Sequence, residues 1–211
     1  MRSANSLRMK PMARFAIPFL AGMLAVASPA HAQFSDGYKF LEAVKKKEGQ
    51  KVEDAISEPG STVINSRDVT TGESALHIVT ARRDITWLRY LVGKGANVNV
   101  RDDGGVTPLQ MATNLGWVDG VEYLVSKKAD LDESNDAGET PLITAVHRKE
   151  IALMRILLKA GADPDRADNS GRSARDYALL DGKDSVLATT IEAHAKKEAS
   201  QSRQKVYGPV F

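Results

Sequence analysis

Histidine and carboxylate side chains are the residues of this chain whose chemistry could serve catalysis or metal binding. Three histidines follow residue 32, namely His77, His147 and His194, and they lie far apart in the sequence. No two of them have the four-residue spacing that places a pair of metal ligands on one helix face. The sequence also lacks a Gly-Lys-Thr phosphate loop, a G-x-S-x-G nucleophile motif and an H-E-x-x-H motif. We therefore expect no catalytic residues, no bound metal and no cofactor.

Two further kinds of chemistry are disfavoured by composition. The chain contains no cysteine, which excludes disulfides, Cys-ligated zinc, iron–sulfur clusters and thiol catalysis. The acidic segment 130–136 is similar in composition to a calcium-binding loop, but the glycine at position six and the glutamate at position twelve are missing. Because aspartate and asparagine favour tight turns, we interpret this segment as a turn.

The charge distribution separates residues 1–32 from the rest of the 211-residue chain. Four of the 29 basic residues and no acidic residue lie in 1–32, which leaves 25 basic against 27 acidic residues in 33–211. A protein dedicated to nucleic acid needs a dense basic surface to displace the counterions of the phosphates. We therefore expect no nucleic-acid partner.

Residues 1–32 have the three-part layout of a secretory signal peptide. A basic segment is followed by the 13 uncharged residues Phe15 to Ala27 and then by the cleavage motif Ala30-His31-Ala32. A transmembrane anchor needs about 20 apolar residues, so we expect cleavage after Ala32 and no membrane insertion afterwards. The style of the signal predicts a periplasmic protein of a Gram-negative bacterium, with secretion as the alternative. Met12 is an alternative start.

After the signal, the sequence repeats itself every 33 residues. A glycine, a Ser or Thr two residues later, and leucines further on recur in one register. The most regular columns are Gly72, Gly105, Gly138 and Gly171; Ser74, Thr107, Thr140 and Ser173; Leu76, Leu109 and Leu142; and Leu91, Leu124 and Leu157. Several columns in the same register indicate an array of similar structural units.

Each repeat predicts two helices followed by a turn. The Ser or Thr suits a helix N-cap, and Pro108 and Pro141 suit the first helical position. The first helices are expected to end near residues 116 and 149, and second helices follow with apolar residues at helical spacing. Gly95 and Gly161 suit a left-handed helix end, and Lys128 in the same column predicts a mildly strained positive φ.

The repeat resembles the ankyrin repeat. The resemblance is clearest in Gly138–Leu142 and Ile156–Asp165, and Gly105–Leu109 and Gly72–His77 follow the same pattern. It covers about residues 37–195 and implies an all-α solenoid of stacked helix–turn–helix units with hairpin-like loops. In this family the histidine at the position of His77 commonly makes hydrogen bonds within the repeat framework, and we expect the same role here.

The resemblance divides the chain into segments. They are a signal peptide (1–32), a diverged N-terminal unit (33–68), three regular repeats (69–101, 102–134 and 135–167), a C-terminal capping unit (168–195) and a flexible tail (196–211). The capping unit has Arg175 in the leucine column, as befits a terminal repeat with one face in water. Trp87 falls in a column predicted to be buried, so we expect it in the core. Trp117 either packs over Gly120 or is exposed.

The variable contact positions of the family, transferred by register, predict a partner-binding surface. They lie at the ends of the first helices and at the hairpin tips. The candidates are Arg82, Asn114, Leu115, His147 and Arg148 at the helices, and Glu73, Asp103, Asp136 and Glu139 at the tips. These residues would place basic and apolar groups beside an acidic rim.

The resemblance and the missing catalytic motifs favour a non-catalytic protein-binding scaffold in the bacterial envelope. We expect a monomer that holds one protein partner, of unknown identity, on the concave face of the stack. The alternative is a stress-related periplasmic protein that binds a small ligand or a metal, because some bacterial periplasmic ankyrin proteins are linked to oxidative-stress defence. An enzyme is a third alternative, since fold alone does not determine function.

Overall fold

The computed structural model describes residues 35–195. Within them the helices are α1 (Asp36–Lys45), α2 (Gly49–Ser57), α3 (Ala75–Ala81), α4 (Ile85–Gly93), α5 (Pro108–Asn114), α6 (Val118–Ser126), α7 (Pro141–His147), α8 (Ile151–Ala160), α9 (Ala174–Leu180) and α10 (186–195), with a 3₁₀ turn at Val63–Asn65. Strand-like pairing in this part of the chain is limited to two isolated bridges, Arg67 with Ser74 and Ala167 with Ser173. The expected all-α class is therefore confirmed. The predicted signal peptide and tail lie outside the described residues.

The helices pack in two rows. Helices α1, α3, α5, α7 and α9 pack one on the next and form the inner row, whereas α4, α6 and α8 form the outer row. The inner helices α1, α3, α5 and α7 also pack against the helix that follows each of them in sequence, namely α2, α4, α6 and α8. Each unit thus contacts mainly its neighbours, which is the arrangement of a repeat solenoid.

Side chains of the Ser and Thr column cap the inner helices. Thr107 Oγ1 accepts a hydrogen bond from the Gln110 amide at 3.2 Å, and Thr140 Oγ1 accepts one from the Ile143 amide at 3.3 Å. Proline occupies the first turn of α5 and of α7, where its missing N–H has no partner to lose. The predicted helix starts are therefore confirmed.

The two leucine columns form the core between successive units. Each of their six members is at most 1% exposed: Leu76, Leu109, Leu142, Leu91, Leu124 and Leu157.

Trp117 packs over Gly120, where an added Cβ would lie 2.2 Å from the indole ring, so the first of the two alternatives is confirmed. The prediction for Trp87 is wrong, because Trp87 is only partly buried and its neighbour Leu88 takes the core position.

The outer helices end in a left-handed residue, as predicted. Lys128 has a φ of 64°, in register with Gly95 at 95° and Gly161 at 104°. A second left-handed column was not predicted from the sequence; it follows the ends of the five inner helices and consists of Lys47, Arg83, Gly116, Lys149 and Gly182. Gly116 and Gly182 in that column could have indicated the left-handed conformation from the sequence.

Replacing Lys128 by glycine is expected to stabilise the fold by up to about 1 kcal/mol, because glycine adopts this φ without a Cβ clash. Urea unfolding measures the change. The control is Lys127→Gly one residue earlier, where φ is −94° and glycine should only lower stability. Equal losses in both variants would contradict the left-handed assignment.

The capping unit accommodates its arginine by ion pairing. Arg175 Nε lies 2.7 Å from Asp165 Oδ1, and its Nη1 pairs with Glu192. The hydrogen bond to Asp165 is the largest cause of a raised Arg175 pKa, and the negative charges of Asp165 and Glu192 add to it. A charge in the leucine column is therefore neutralised at the end of the stack.

No helix in the described range is both long and apolar enough to cross a lipid bilayer.

Candidate functional site

The predicted helix-end residues occupy equivalent places in successive units. Asn114 is the last residue of α5 and Leu115 is its C-cap, whereas His147 is the last residue of α7 and Arg148 is its C-cap. Arg82 is the C-cap of α3. The repeat register therefore brings these side chains to the same end of the inner row.

Four predicted residues from two adjacent units line one recess. Asn114, Glu139, His147 and Arg148 surround a volume of about 180 Å³. Four further residues complete the lining: Val106, Gln110, Asn135 and Thr144. We call this feature the α5–α7 recess.

Polar contacts hold the α5–α7 recess in shape. The His147 Nδ1 lies 3.4 Å from Glu139 Oε1, and Asn135 Nδ2 donates to Glu139 Oε2 at 3.2 Å. The His147 ring also meets the Tyr177 ring edge-on, with 4.3 Å between the ring centres. The nearest carboxylate to Arg148 is that of Glu150, at 3.9 Å. The recess therefore presents one carboxylate, one guanidinium and several neutral hydrogen-bonding groups.

Arg82 and Leu115 serve the stack itself. Arg82 Nη1 donates to the carbonyls of Val44 and Lys45, at 2.7 and 3.0 Å, and so ties α3 to the last turn of α1. Leu115 is partly buried against the core, and its carbonyl accepts from Arg83 Nη2 at 2.6 Å. These two residues contribute less open surface than their register position predicts.

The hairpin tips form a connected row. Backbone amides of one tip donate to carbonyls of the tip before it, from Asp103 to Thr71 at 3.0 Å and from Asp136 to Gly104 at 3.0 Å. Asp103 and Asp136 are exposed, although Asp103 also pairs with Arg67 at 2.7 Å, and Glu73 is half-buried. The predicted acidic residues thus lie along one edge of the inner row.

His77 belongs to the repeat framework, as expected. It is fully buried; its Nδ1 accepts from the Ser74 amide at 3.1 Å, and its Nε2 donates to the Val106 carbonyl at 2.9 Å. Burial lowers the pKa of this imidazole below its ordinary value. A neutral His77 therefore joins its own helix start to the hairpin of the next unit.

The free energy of unfolding is expected to fall as the pH drops below about 6.5, the ordinary pKa of histidine. The reason is that His77 binds a proton more tightly in the unfolded chain than in the folded chain. Above this pH His77 is neutral in both states, and the fold keeps its full stability. The variant His77→Gln should be less dependent on pH. Urea unfolding from about pH 7.5 to about pH 5.5 compares the two proteins, which differ only at residue 77. An unchanged pH dependence would contradict the role of His77.

The acidic segment 130–136 makes turns. Asp130 Oδ1 accepts from the Asp132 amide at 3.0 Å, and Asp132 Oδ1 accepts from the Asp163 amide of the next unit at 2.9 Å. Burial raises the pKa of Asp132. The turn interpretation is confirmed, and residues 35–195 hold no group of three His, Cys, Asp or Glu placed to bind a metal ion.

Sequence reasoning missed Gln110, which lies at the register of His77. It is 3% exposed, its Nε2 donates to Thr144 Oγ1 at 2.6 Å, and its Oε1 has no hydrogen-bond partner. The available signal was a polar residue in the column that holds His77 in one unit and Ile143 in another. Gln110 therefore lines the recess and carries a buried acceptor without a hydrogen-bond partner.

A second groove lies between α2 and α4, where Trp87 and Tyr90 of α4 meet Gly49 and Glu53 of α2. The Tyr90 hydroxyl donates to Glu53, and Lys94 Nζ lies 2.6 Å from the same carboxylate. Burial and this hydrogen bond raise the pKa of Tyr90 to about 12. The charged groups of this groove are therefore already paired with one another.

The family comparison agrees with the architecture. A family model described as ankyrin repeats (three copies) matches residues 40–135 and 121–199, which together span well over half of the chain. Repeats of this family form protein–protein interaction scaffolds and are generally non-catalytic. The chain belongs to the ankyrin repeat family.

Proposed function

We propose that this protein is a binding scaffold of the bacterial envelope that holds a protein partner on the inner-helix face. That face consists of the C-terminal ends of α5 and α7 together with the hairpin tips. The observation that carries the proposal is the α5–α7 recess, in which family contact positions from two units converge on one volume. Repeat solenoids present extended concave surfaces built from equivalent positions of successive units, and they bind their partners there.

The side chains around the recess suit a protein interface. The side chains of His147 and Arg148 are 38% and 39% exposed, so both are available to a partner. Tyr177 meets the His147 ring edge-on, and the Arg172 guanidinium lies 5.9 Å from the centre of the Tyr177 ring. Interface energy concentrates in a few anchors, and tyrosine and arginine are frequent among them. These residues therefore provide an anchor region next to the recess.

Photo-crosslinking tests the binding face. A benzophenone amino acid placed at Asn114 in the source bacterium should crosslink to a defined protein, because Asn114 is exposed and lines the recess. The matched control places the same amino acid at Arg155, which is exposed on α8 of the outer row. Crosslinking from Arg155 but not from Asn114, or from neither position, would overturn the proposal.

The envelope location is supported by the cleavage motif Ala30-His31-Ala32 after a short apolar run. The lack of cysteine is compatible with an oxidising compartment. Expression in a Gram-negative host, followed by the intact mass of the periplasmic fraction, decides the point. A mass that begins at Gln33 is expected, whereas an uncleaved chain in the membrane fraction would refute secretion into the periplasm.

A further inference from the structure

Gln110 has a buried acceptor that the protein itself leaves unpaired. The residue is 3% exposed, its Nε2 is taken by Thr144, and its Oε1 is closed to solvent without a partner. A buried acceptor without a hydrogen bond destabilises the folded protein, because its lost hydration is not replaced. A bound molecule that donates a hydrogen bond to this acceptor removes that destabilisation.

The equivalent residues of the other units need no such donor. His77 donates and accepts through its two ring nitrogens, and Ile143 is apolar and fully buried. Asp176 accepts from both the amide and the hydroxyl of Ser173. Among these four register positions, Gln110 is the one with an unpaired atom, and it lines the α5–α7 recess.

The lining of the recess indicates which group fits. Glu139 and Arg148 supply one negative and one positive charge to the lining, and these two formal charges cancel. Burying an ion in such a site brings no net attraction to offset its desolvation. The remaining polar side chains are the amides Gln110, Asn114 and Asn135 and the hydroxyl of Thr144. A neutral group with both a donor and an acceptor matches this set.

We propose that the α5–α7 recess binds a carboxamide side chain, Asn or Gln, of the partner protein. The Gln110 side chain turns its Oε1 toward the recess to accept from the amide N–H of that side chain, and the carbonyl oxygen of the partner side chain accepts from the Asn114 amide or the Arg148 guanidinium. This inference rests on the proposed function and adds the chemistry that the site selects. The partner is recognised by this group whatever its fold.

The test uses a phage library of random twelve-residue peptides selected on the wild-type protein, with Gln110→Met as the comparison. Methionine has the length of glutamine and makes no comparable hydrogen bond. Peptides that depend on Gln110 should share one Asn or Gln, and their affinity should fall about tenfold on Gln110→Met. Gln110→Ile, which copies Ile143 of α7, should have the same effect, and circular dichroism confirms that both variants fold.

Two further results separate this inference from the proposed function. Peptides that lose binding on the double variant Asn114→Ala, Arg148→Ala, yet are unaffected by Gln110→Met, would leave the inner face as the binding site and refute the carboxamide. A shared Lys, Arg, Asp or Glu, or no shared residue, among Gln110-dependent peptides would refute it as well. Peptides that bind the double variant as strongly as the wild type would instead contradict the proposed function.

Discussion

Replacement of Leu124 by alanine is expected to lower the free energy of unfolding by about 2–5 kcal/mol. Leu124 is fully buried in α6, which packs between α4 and α8, and its column continues in Leu91 and Leu157. The truncated side chain would leave a cavity shared by neighbouring units, because rigidly stacked helices close such a space only in part. Urea unfolding measures the loss.

The control for this change is Glu122→Ala, on an exposed position of the same helix. Surface substitutions of this kind usually alter stability by less than about 0.5 kcal/mol. A loss below about 1 kcal/mol for Leu124→Ala would show that the leucine column does not hold the units together.

The double variant Asn114→Ala, Arg148→Ala is expected to weaken binding of the protein crosslinked at Asn114 by at least about tenfold, which corresponds to about 1.4 kcal/mol. Both side chains are exposed and line the recess, so their loss should leave the fold intact. Titration calorimetry measures the dissociation constant, and circular dichroism checks folding. Arg82 is excluded from the variant because its guanidinium holds α1.

The matched control also removes one amide and one arginine, but from helices outside the inner row. Gln50→Ala with Arg155→Ala changes exposed residues of α2 and α8. The account predicts unchanged affinity for this control. If the control loses the partner while the Asn114, Arg148 variant keeps it, the binding face has been assigned to the wrong side of the stack.

Features that recur in the three regular repeats could be predicted from the sequence. The N-caps, the leucine columns and the left-handed end at Lys128 each follow from a local requirement that the 33-residue register repeats. A requirement of this kind needs only the residue and its near neighbours. The helix starts and the core were therefore accessible without a structure.

Features that depend on one particular neighbour could not be predicted in this way. Trp87 and Leu88 are adjacent apolar residues, and the helix phase that buries Leu88 is set by packing on other units. Arg82 has the register of a contact position, but the end of α1 captures its guanidinium. The N-terminal unit has diverged, so the sequence could not place those carbonyls. The unpaired Gln110 Oε1 likewise depends on where Thr144 lies in the next unit.

Hydrogen–deuterium exchange of the purified chain, with and without the protein crosslinked at Asn114, tests the binding face most directly, because exchange reports local protection segment by segment. The account predicts added protection in 106–115 and 135–148, which contain the inner-row ends and the hairpin tip of the recess. The outer helices α4, α6 and α8 should exchange as they do in the free protein. Protection confined to those outer helices would contradict the inner-helix face as the site of binding.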